Sequence, residues 1–152
     1  MIRNWNDRVK PGHILYHLGD FAMGQRIHHY SFYERLNGRK ILIRGNHDSN
    51  GTASFFDEVH DELTIKLDGI TLWMAHVPVD NSLDRRDYVR PPAPPYYDIA
   101  LCGHAHNAFV VKDNCVNVGV DNFSYRPISL QEIIDVLDVK LQAKFVRRNP
   151  IS

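Results

Sequence analysis

The sequence lacks an excess of either charge. Among its 152 residues, Lys and Arg number 18 and Asp and Glu number 18, so the formal net charge is zero. This balance argues against a protein that binds nucleic acid or membranes mainly by electrostatics, since such proteins carry a strongly basic surface. The sequence also lacks an apolar run long enough to span a membrane and an N-terminal signal-peptide segment. We therefore expect no membrane partner.

Cysteine is scarce, whereas histidine is frequent. Cys102 and Cys115 are the only two cysteines, which is too few for a disulfide framework and indicates a reducing compartment. We expect a cytoplasmic location on this basis. Nine histidines stand in the chain. Because histidine is the commonest metal ligand, this number fits a metal site.

Three apolar runs are typical of buried strands, and each precedes a polar cluster. Ile14-Leu15-Tyr16 precedes Gly19-Asp20, Ile41-Leu42-Ile43 precedes Gly45-Asn46-His47-Asp48, and Ile99-Ala100-Leu101 precedes Gly103-His104-Ala105-His106. Strand ends in an α/β sheet share one edge, so these loops are expected to converge there. Their carboxylate, amide and imidazole groups suit a divalent ion such as Mn²⁺, Fe²⁺ or Zn²⁺.

The length and the 43% apolar content indicate a single domain, residues 1–152, with a real core. Helices are expected over 2–9 and 25–36. A last helix is expected after the capping box of Ser129 and Glu132, with an apolar face of Ile133, Ile134, Leu137 and Leu141. Strands are expected over 13–18, 40–44, 62–67, 70–75 and 98–102. Hairpin turns are expected at Asp68-Gly69 and Asp113-Asn114.

The polar clusters resemble the motifs of the calcineurin-like metallophosphoesterase family. The family pattern is D-x-H, then G-D, then G-N-H-D/E, then a lone His, then G-H-x-H. Four of these five blocks stand here in order, namely Gly19-Asp20, Gly45-Asn46-His47-Asp48, His76 and Gly103-His104-Ala105-His106. The resemblance covers nearly the whole chain. It implies an α/β fold with two stacked mixed β-sheets flanked by helices.

The resemblance also implies metal ligands. Asp20 matches the carboxylate that bridges two metal ions in the family. Asn46, His76 and His104 would complete the ligand set of the second ion together with Asp20. His106 would bind the first ion. The cofactor implied is a divalent metal, with Mn²⁺ favoured over Fe²⁺, Zn²⁺ or Ni²⁺, and with two ions per site if the first site is completed.

The catalytic residues implied by the resemblance are His47 and Asp48. His47 would hydrogen-bond the phosphate and protonate or stabilise the leaving oxygen, a task that suits an imidazole of near-neutral pKa. Asp48 would help to hold the loop and the imidazole. The function implied is hydrolysis of phosphomonoesters or phosphodiesters by a metal-activated hydroxide. Nucleotides and nucleic acids remain within the substrate class.

No D-x-H block occurs anywhere in the sequence. The first ion would then keep only Asp20 and His106, and the first strand of the family fold would be missing. An exposed edge beside the Asp20 strand is expected, and such an edge invites a homo-oligomer. Other donors that could substitute are Glu58 with His60, and His13, His17, His28 and His29.

Two other functions stay open. The loss of D-x-H favours a degenerate, non-catalytic metal-binding or interaction module with one complete metal site. A nucleic-acid binder would use Arg85, Arg86 and Arg90 around Tyr88, although the balanced charge weighs against it. The long loop over residues 77–97 separates two ligand blocks, and we expect it to be either a substrate-facing lid or a solvated surface loop.

Overall fold

A computed structural model of the chain describes residues 1–22, 26–79 and 92–137. Most of the predicted lid, the arginine cluster around Tyr88, and Leu141 of the predicted last helix lie outside these residues. The described part is an α/β structure with two β-sheets and four α-helices. The α/β class and the two-sheet architecture are therefore confirmed.

The first sheet has three parallel strands in the order β1-β2-β3. The second sheet has five strands in the order β4-β5-β6-β8-β7 and mixes parallel and antiparallel pairs. The strands are β1 (Ile14–His17), β2 (Arg39–Ile43), β3 (Glu58–His60), β4 (Glu62–Leu67), β5 (Ile70–Ala75), β6 (Ile99–Cys102), β7 (Val111–Lys112) and β8 (Cys115–Asn117).

The helices are short and flank the sheets. The expected helix over 25–36 is shorter at its C-terminal end, because the chain leaves the helix at Tyr33 and turns before β2. A short 3₁₀ helix, Val120–Asn122, follows β8. The α-helices are α1 (Ile2–Arg8), α2 (Arg26–Tyr33), α3 (Asn50–Ala53) and α4 (Leu130–Asp135).

Both predicted hairpin turns are confirmed. Asp68 and Gly69 connect β4 to β5 with φ values of 50° and 76°. Positive φ at both central residues is the geometry that matches the twist of the flanking strands, and Asp-Gly adopts it readily. Asp113, with φ 54°, starts the turn between β7 and β8.

The main apolar core lies between the two sheets. Leu18 and Ile43 from the first sheet side meet residues of β5, β6 and β8, and α4 adds Ile133. These side chains pack the two sheets against each other. The packing places the ends of β1 and β2 close to the ends of β5 and β6. The buried members of this cluster are Leu18, Ile43, Ile70, Leu72, Met74, Ile99, Leu101, Val116, Ile133 and Leu137.

Among the described residues, β1 is an edge strand, in line with the exposed edge expected beside the Asp20 strand. Arg39 donates its backbone N–H to the His13 carbonyl, and this bond determines which residues of β1 direct their backbone groups towards β2. The backbone groups of Ile14 and Tyr16 therefore face away from β2. Ile14 and Tyr16 line a groove of about 890 Å³, which residues of the segment 118–133 also line. Within the described residues, no helix has the length and apolar character needed to cross a membrane.

The capping box predicted at α4 is present, and it is part of a larger polar cluster. The Glu132 carboxylate accepts the Ser129 backbone N–H at 2.9 Å and an Arg126 N–H at 2.7 Å, and it also contacts Arg8 of α1. The Ser129 N–H, together with Arg126, lowers the pKa of Glu132 to about 2, although burial opposes this effect. This carboxylate thus ties α1 to α4.

We expect Glu132→Gln to lower the free energy of unfolding by about 1 kcal/mol at pH 7, because a capping carboxylate and two ion pairs lose their charge. The lowered pKa means that the contribution is present above pH 4.5 and is lost as the pH falls towards 2. Urea unfolding at pH 7 and at pH 3 measures both values. Glu34→Gln, at an exposed glutamate, serves as the control. An equal effect of both substitutions at pH 7 would contradict the assignment.

Candidate metal centre

Four of the predicted ligands follow the carboxyl ends of four strands. Asp20 and Asn46 lie in the loops after β1 and β2, and His76 and His104 lie in the loops after β5 and β6. In each sheet the two strands concerned belong to parallel runs, so their ends are on the same side. Packing of the two sheets brings all four loops together.

The donor atoms of these residues converge on His76 Nε2. This nitrogen lies 3.1 Å from Asn46 Oδ1, 3.2 Å from His104 Nδ1 and 3.4 Å from Asp20 Oδ2. Asp20, His76 and His104 form a group whose ligand atoms all lie within 4.8 Å of one another. The amide oxygen of Asn46 adds a fourth, uncharged donor.

This arrangement fits a divalent ion. Four tetrahedral ligands at about 2.0–2.1 Å from an ion stand about 3.4 Å apart, and the three separations from His76 Nε2 are close to that value. One carboxylate, one amide and two imidazoles also form a donor set that borderline divalent metals accept. Asp20, His76 and His104, together with Asn46, can therefore hold a divalent metal ion.

His76 is fixed in the tautomer that a ligand needs. Its side chain is 1% exposed, and its Nδ1 lies 2.6 Å from the Leu18 carbonyl oxygen. Because a carbonyl oxygen only accepts hydrogen bonds, Nδ1 carries the proton. Nε2 therefore presents its lone pair to the space shared with the other ligand atoms. Burial lowers the pKa of His76, but the contacts with Asp20 and Leu18 outweigh burial and raise it overall.

Asp20 is ionised and oriented by its neighbours. Oδ1 accepts the backbone N–H of His47 at 2.9 Å, while Oδ2 is the oxygen nearest to His76. Burial alone would raise the pKa of Asp20, but the contacts with His76 and His47 lower it to about 2. Asp20 and His104 both have positive φ, at 54° and 57°. Such strained conformations at non-glycine residues are typical of functional loops.

Asp48 joins the two loops of the first sheet. Its carboxylate is buried and accepts backbone N–H groups from Asp20 at 2.8 Å, Phe21 at 2.9 Å and Gly45 at 2.9 Å. The loop-holding part of the predicted role therefore has a structural basis. Over the described residues, the hydrogen bonds of this carboxylate go to backbone groups, so its predicted hold on the imidazole of His47 stays a prediction.

The structure does not bring the other two predicted site residues into the donor cluster. His47 is exposed, and its described contact with Asp20 is made by the backbone. The His106 side chain is 84% exposed, and its Nδ1 lies 3.1 Å from Asp121 Oδ2. His106 lines the same groove as Asp20, His76 and His104.

Within the part of the chain that the structure describes, the substitute donors suggested by the sequence do not form a second cluster. His17 is half-buried beside Trp5 and Phe21, and desolvation lowers its pKa to about 4, although Asp48 opposes this effect. Glu58 and His60 belong to β3, a strand that is not among those predicted from the sequence. Over residues 1–22, 26–79 and 92–137, the structure contains one group of three or more carboxylate, imidazole or thiol donors close enough to share an ion.

Some contacts that build the site carry no sequence signal. Nothing in the sequence distinguishes Leu18 as the residue whose carbonyl orients His76. The close approach of the loops after β1 and β2 was partly indicated by the glycine that each of them contains. A Cβ on Gly19, whose φ is +84°, would lie 2.6 Å from the Gly45 Cα, so both positions need glycine.

The chain is similar to several known proteins. The chain is 27% identical to Uncharacterized protein MJ1445 of Methanocaldococcus jannaschii, over 91% of this chain and 73% of that protein. Its fold is similar to the crystal structure of AQ665, a protein of unknown function from Aquifex aeolicus, with a TM-score of 0.67, 26% identity, and coverage of 90% of this chain and 82% of that one.

A novel archaeal phosphodiesterase shares the fold at a TM-score of 0.50, with 19% identity over 80% of this chain and 75% of that chain. The sequence model of the calcineurin-like phosphoesterase superfamily domain matches residues 1–122, which include every predicted ligand. The match spans most of the chain, and the residues of four family blocks meet at one site. The protein therefore belongs to the calcineurin-like phosphoesterase superfamily.

Proposed function

We propose that this protein is a metal-dependent phosphoesterase that hydrolyses phosphomonoesters or phosphodiesters. The observation that carries the proposal is the convergence of Asp20, Asn46 and His104 on the oriented Nε2 of His76. Family membership supports the same activity. We further propose Mn²⁺ as the working ion, with Fe²⁺, Zn²⁺ and Ni²⁺ as alternatives.

We assign the residues of the site different roles in the hydrolysis. Divalent ions, when bound, attract phosphate oxygens and lower the pKa of water so that hydroxide forms near neutral pH. Asn46 contributes an uncharged oxygen, which leaves the site more electropositive and therefore more favourable to phosphate. His47 is exposed beside Asp20, and we assign to it the proton donated to the leaving oxygen.

The experiment is hydrolysis of bis(4-nitrophenyl) phosphate and 4-nitrophenyl phosphate with Mn²⁺, measured as released nitrophenolate. We expect turnover that disappears in Asp20→Ala and on chelation. Asp113→Ala, at an exposed hairpin carboxylate, is the matched control and should keep its activity. Absence of hydrolysis of either ester by the folded protein at saturating Mn²⁺ would overturn the proposal.

A second candidate is a non-catalytic metal-binding or interaction module. One observation favours it: His106, the predicted ligand of the first ion, lies outside the donor cluster, which leaves that site with few protein ligands. Metal analysis of the purified protein separates the two candidates. A content near two ions per chain favours the enzyme, and a content near one without hydrolysis favours the module.

We also propose a substrate class, an oligomeric state and a location for the protein. The substrate is a phosphoester, with nucleotides and nucleic acids inside this class. The open edge of β1 supports a homo-oligomer, which size-exclusion chromatography with light scattering would test. Cys102 and Cys115 are both buried, and their Sγ atoms lie 3.6 Å apart without forming a disulfide bond, which supports a reducing location such as the cytoplasm.

A further inference from the structure

His106 combines an exposed side chain with a strained backbone. Its imidazole is 84% exposed, yet its φ is 45°, a conformation that costs non-glycine residues free energy. An exposed residue that only faced solvent would have no reason to keep this conformation. Contacts from the following segment must therefore hold it in place.

Those contacts come from three residues of the segment that follows β7. Asn117, which is fully buried, donates its amide N–H to the His106 carbonyl oxygen at 2.7 Å, and Asn122 donates to the same oxygen at 3.1 Å. Asp121 places Oδ2 3.1 Å from Nδ1 of the ring. The backbone and the ring of His106 are thus fixed separately, by two amides and one carboxylate.

We propose that Asp121 is a positioning residue that keeps the proton of neutral His106 on Nδ1 and so makes Nε2 ready to bind a divalent cation. A carboxylate accepts a hydrogen bond and cannot donate one, so the nitrogen that faces it carries the proton. The other nitrogen keeps its lone pair. Carboxylate–histidine pairs of this kind orient metal ligands and increase their basicity.

A contribution to stability does not account for this pair. Asp121 is 34% exposed and His106 is 84% exposed, and ion pairs at such positions stabilise folded proteins little. Tautomer selection, in contrast, needs only the short contact. His106 also lines the groove that contains Asp20, His76 and His104, so a nitrogen ready for a cation there adds to the same site. This inference rests on the proposed function, because that function is the reason for expecting a divalent cation at the site.

The first experiment reads the tautomer directly in the metal-free protein. Two-bond ¹H–¹⁵N NMR spectra at about pH 8.5, well above the pKa of histidine in model peptides, distinguish Nδ1–H from Nε2–H rings. His106→Gln identifies the signals. We expect the Nδ1–H form in the wild type and mainly the Nε2–H form in Asp121→Asn, because the new amide can donate to Nδ1. Asp113→Asn, at an exposed turn carboxylate, should leave the tautomer unchanged.

The second experiment adds Zn²⁺ to the same samples. The Nε2 resonance of His106 should shift in the wild type, and Asp121→Asn should need about 10–100 times more free Zn²⁺ for the same shift. The melting temperature of Asp121→Asn should match that of the wild type. An Nε2–H ring in the wild type, an unchanged tautomer in Asp121→Asn, or no response of His106 to Zn²⁺ would each overturn the inference.

Failure of this inference differs from failure of the proposed function. If His106 shows the expected tautomer and Zn²⁺ response but neither ester is hydrolysed, the inference stands and the phosphoesterase proposal fails. If the esters are hydrolysed while His106 is in the Nε2–H form, the reverse holds.

Discussion

His76→Gln should weaken divalent metal binding by at least about 100-fold and reduce ester hydrolysis to the background rate. Its Nε2 is the atom on which the other three donors converge, at 3.1–3.4 Å. Loss of an indirect partner of a metal ligand already costs about 10–100-fold in affinity, so loss of the central ligand should cost more. Isothermal titration with Mn²⁺ and nitrophenolate release measure the two effects.

The matched control for this substitution is His29→Gln. His29 is also a buried histidine, at 7% exposure, but it lies beside Thr52, with Nδ1 3.3 Å from Oγ1, and outside the donor cluster. We expect His29→Gln to affect the free energy of unfolding while leaving the Mn²⁺ affinity unchanged. Equal loss of metal affinity in both variants would mean that the effect comes from general disturbance of the fold.

Gly45→Ala should disrupt the site without removing any polar group. The added methyl would lie 2.3 Å from Asp20 Oδ1, 2.5 Å from the Asp20 backbone nitrogen and 2.9 Å from His76 Cε1. None of these atoms is the free end of a flexible chain, because Asp20 and His76 are both held by hydrogen bonds. We expect a loss of about 3 kcal/mol in the free energy of unfolding and loss of hydrolysis.

Gly12→Ala provides the comparison for Gly45→Ala. A Cβ at Gly12 would meet nothing within 4 Å, and its backbone does not require glycine. Its effect on the free energy of unfolding should stay within about 0.5 kcal/mol. Urea denaturation of both variants gives the stabilities, and the ester assay gives the activities. A Gly45→Ala variant as stable and as active as Gly12→Ala would show that the loops can separate at little cost.

Elements with strong local signals could be predicted from the sequence. The hairpin β4–β5 has the predicted bounds because Asp68-Gly69 is compatible with one tight turn. The capping box at Ser129 was likewise predictable from two residues. The convergence of Asp20 and Asn46 followed from the rule that parallel strands end at the same edge, and the order of the family blocks implied that His76 and His104 join them.

Elements that depend on tertiary contacts could not be predicted. The short strand β3 has no apolar run, and it exists because its backbone pairs with β2, Val59 lying opposite Leu42. Helix α3 is four residues long and contains Gly51, so its stability comes from the Ser49 cap and from packing rather than helix propensity. The placement of His106 beside Asp121 depends on the turn after β6, which the spacing of residues does not determine.

The four donor residues come equally from the two sheets, with Asp20 and Asn46 from the first and His76 and His104 from the second. A bound ion would therefore act as a cross-link between two halves of the molecule that are otherwise joined by apolar packing and by contacts such as the hydrogen bond from His76 to the Leu18 carbonyl. Such a cross-link adds to the cohesion of the fold by mass action, by about 2.7 kcal/mol when the free ion is at 100 times its dissociation constant. Metal supply would then set how firmly the two sheets stay together.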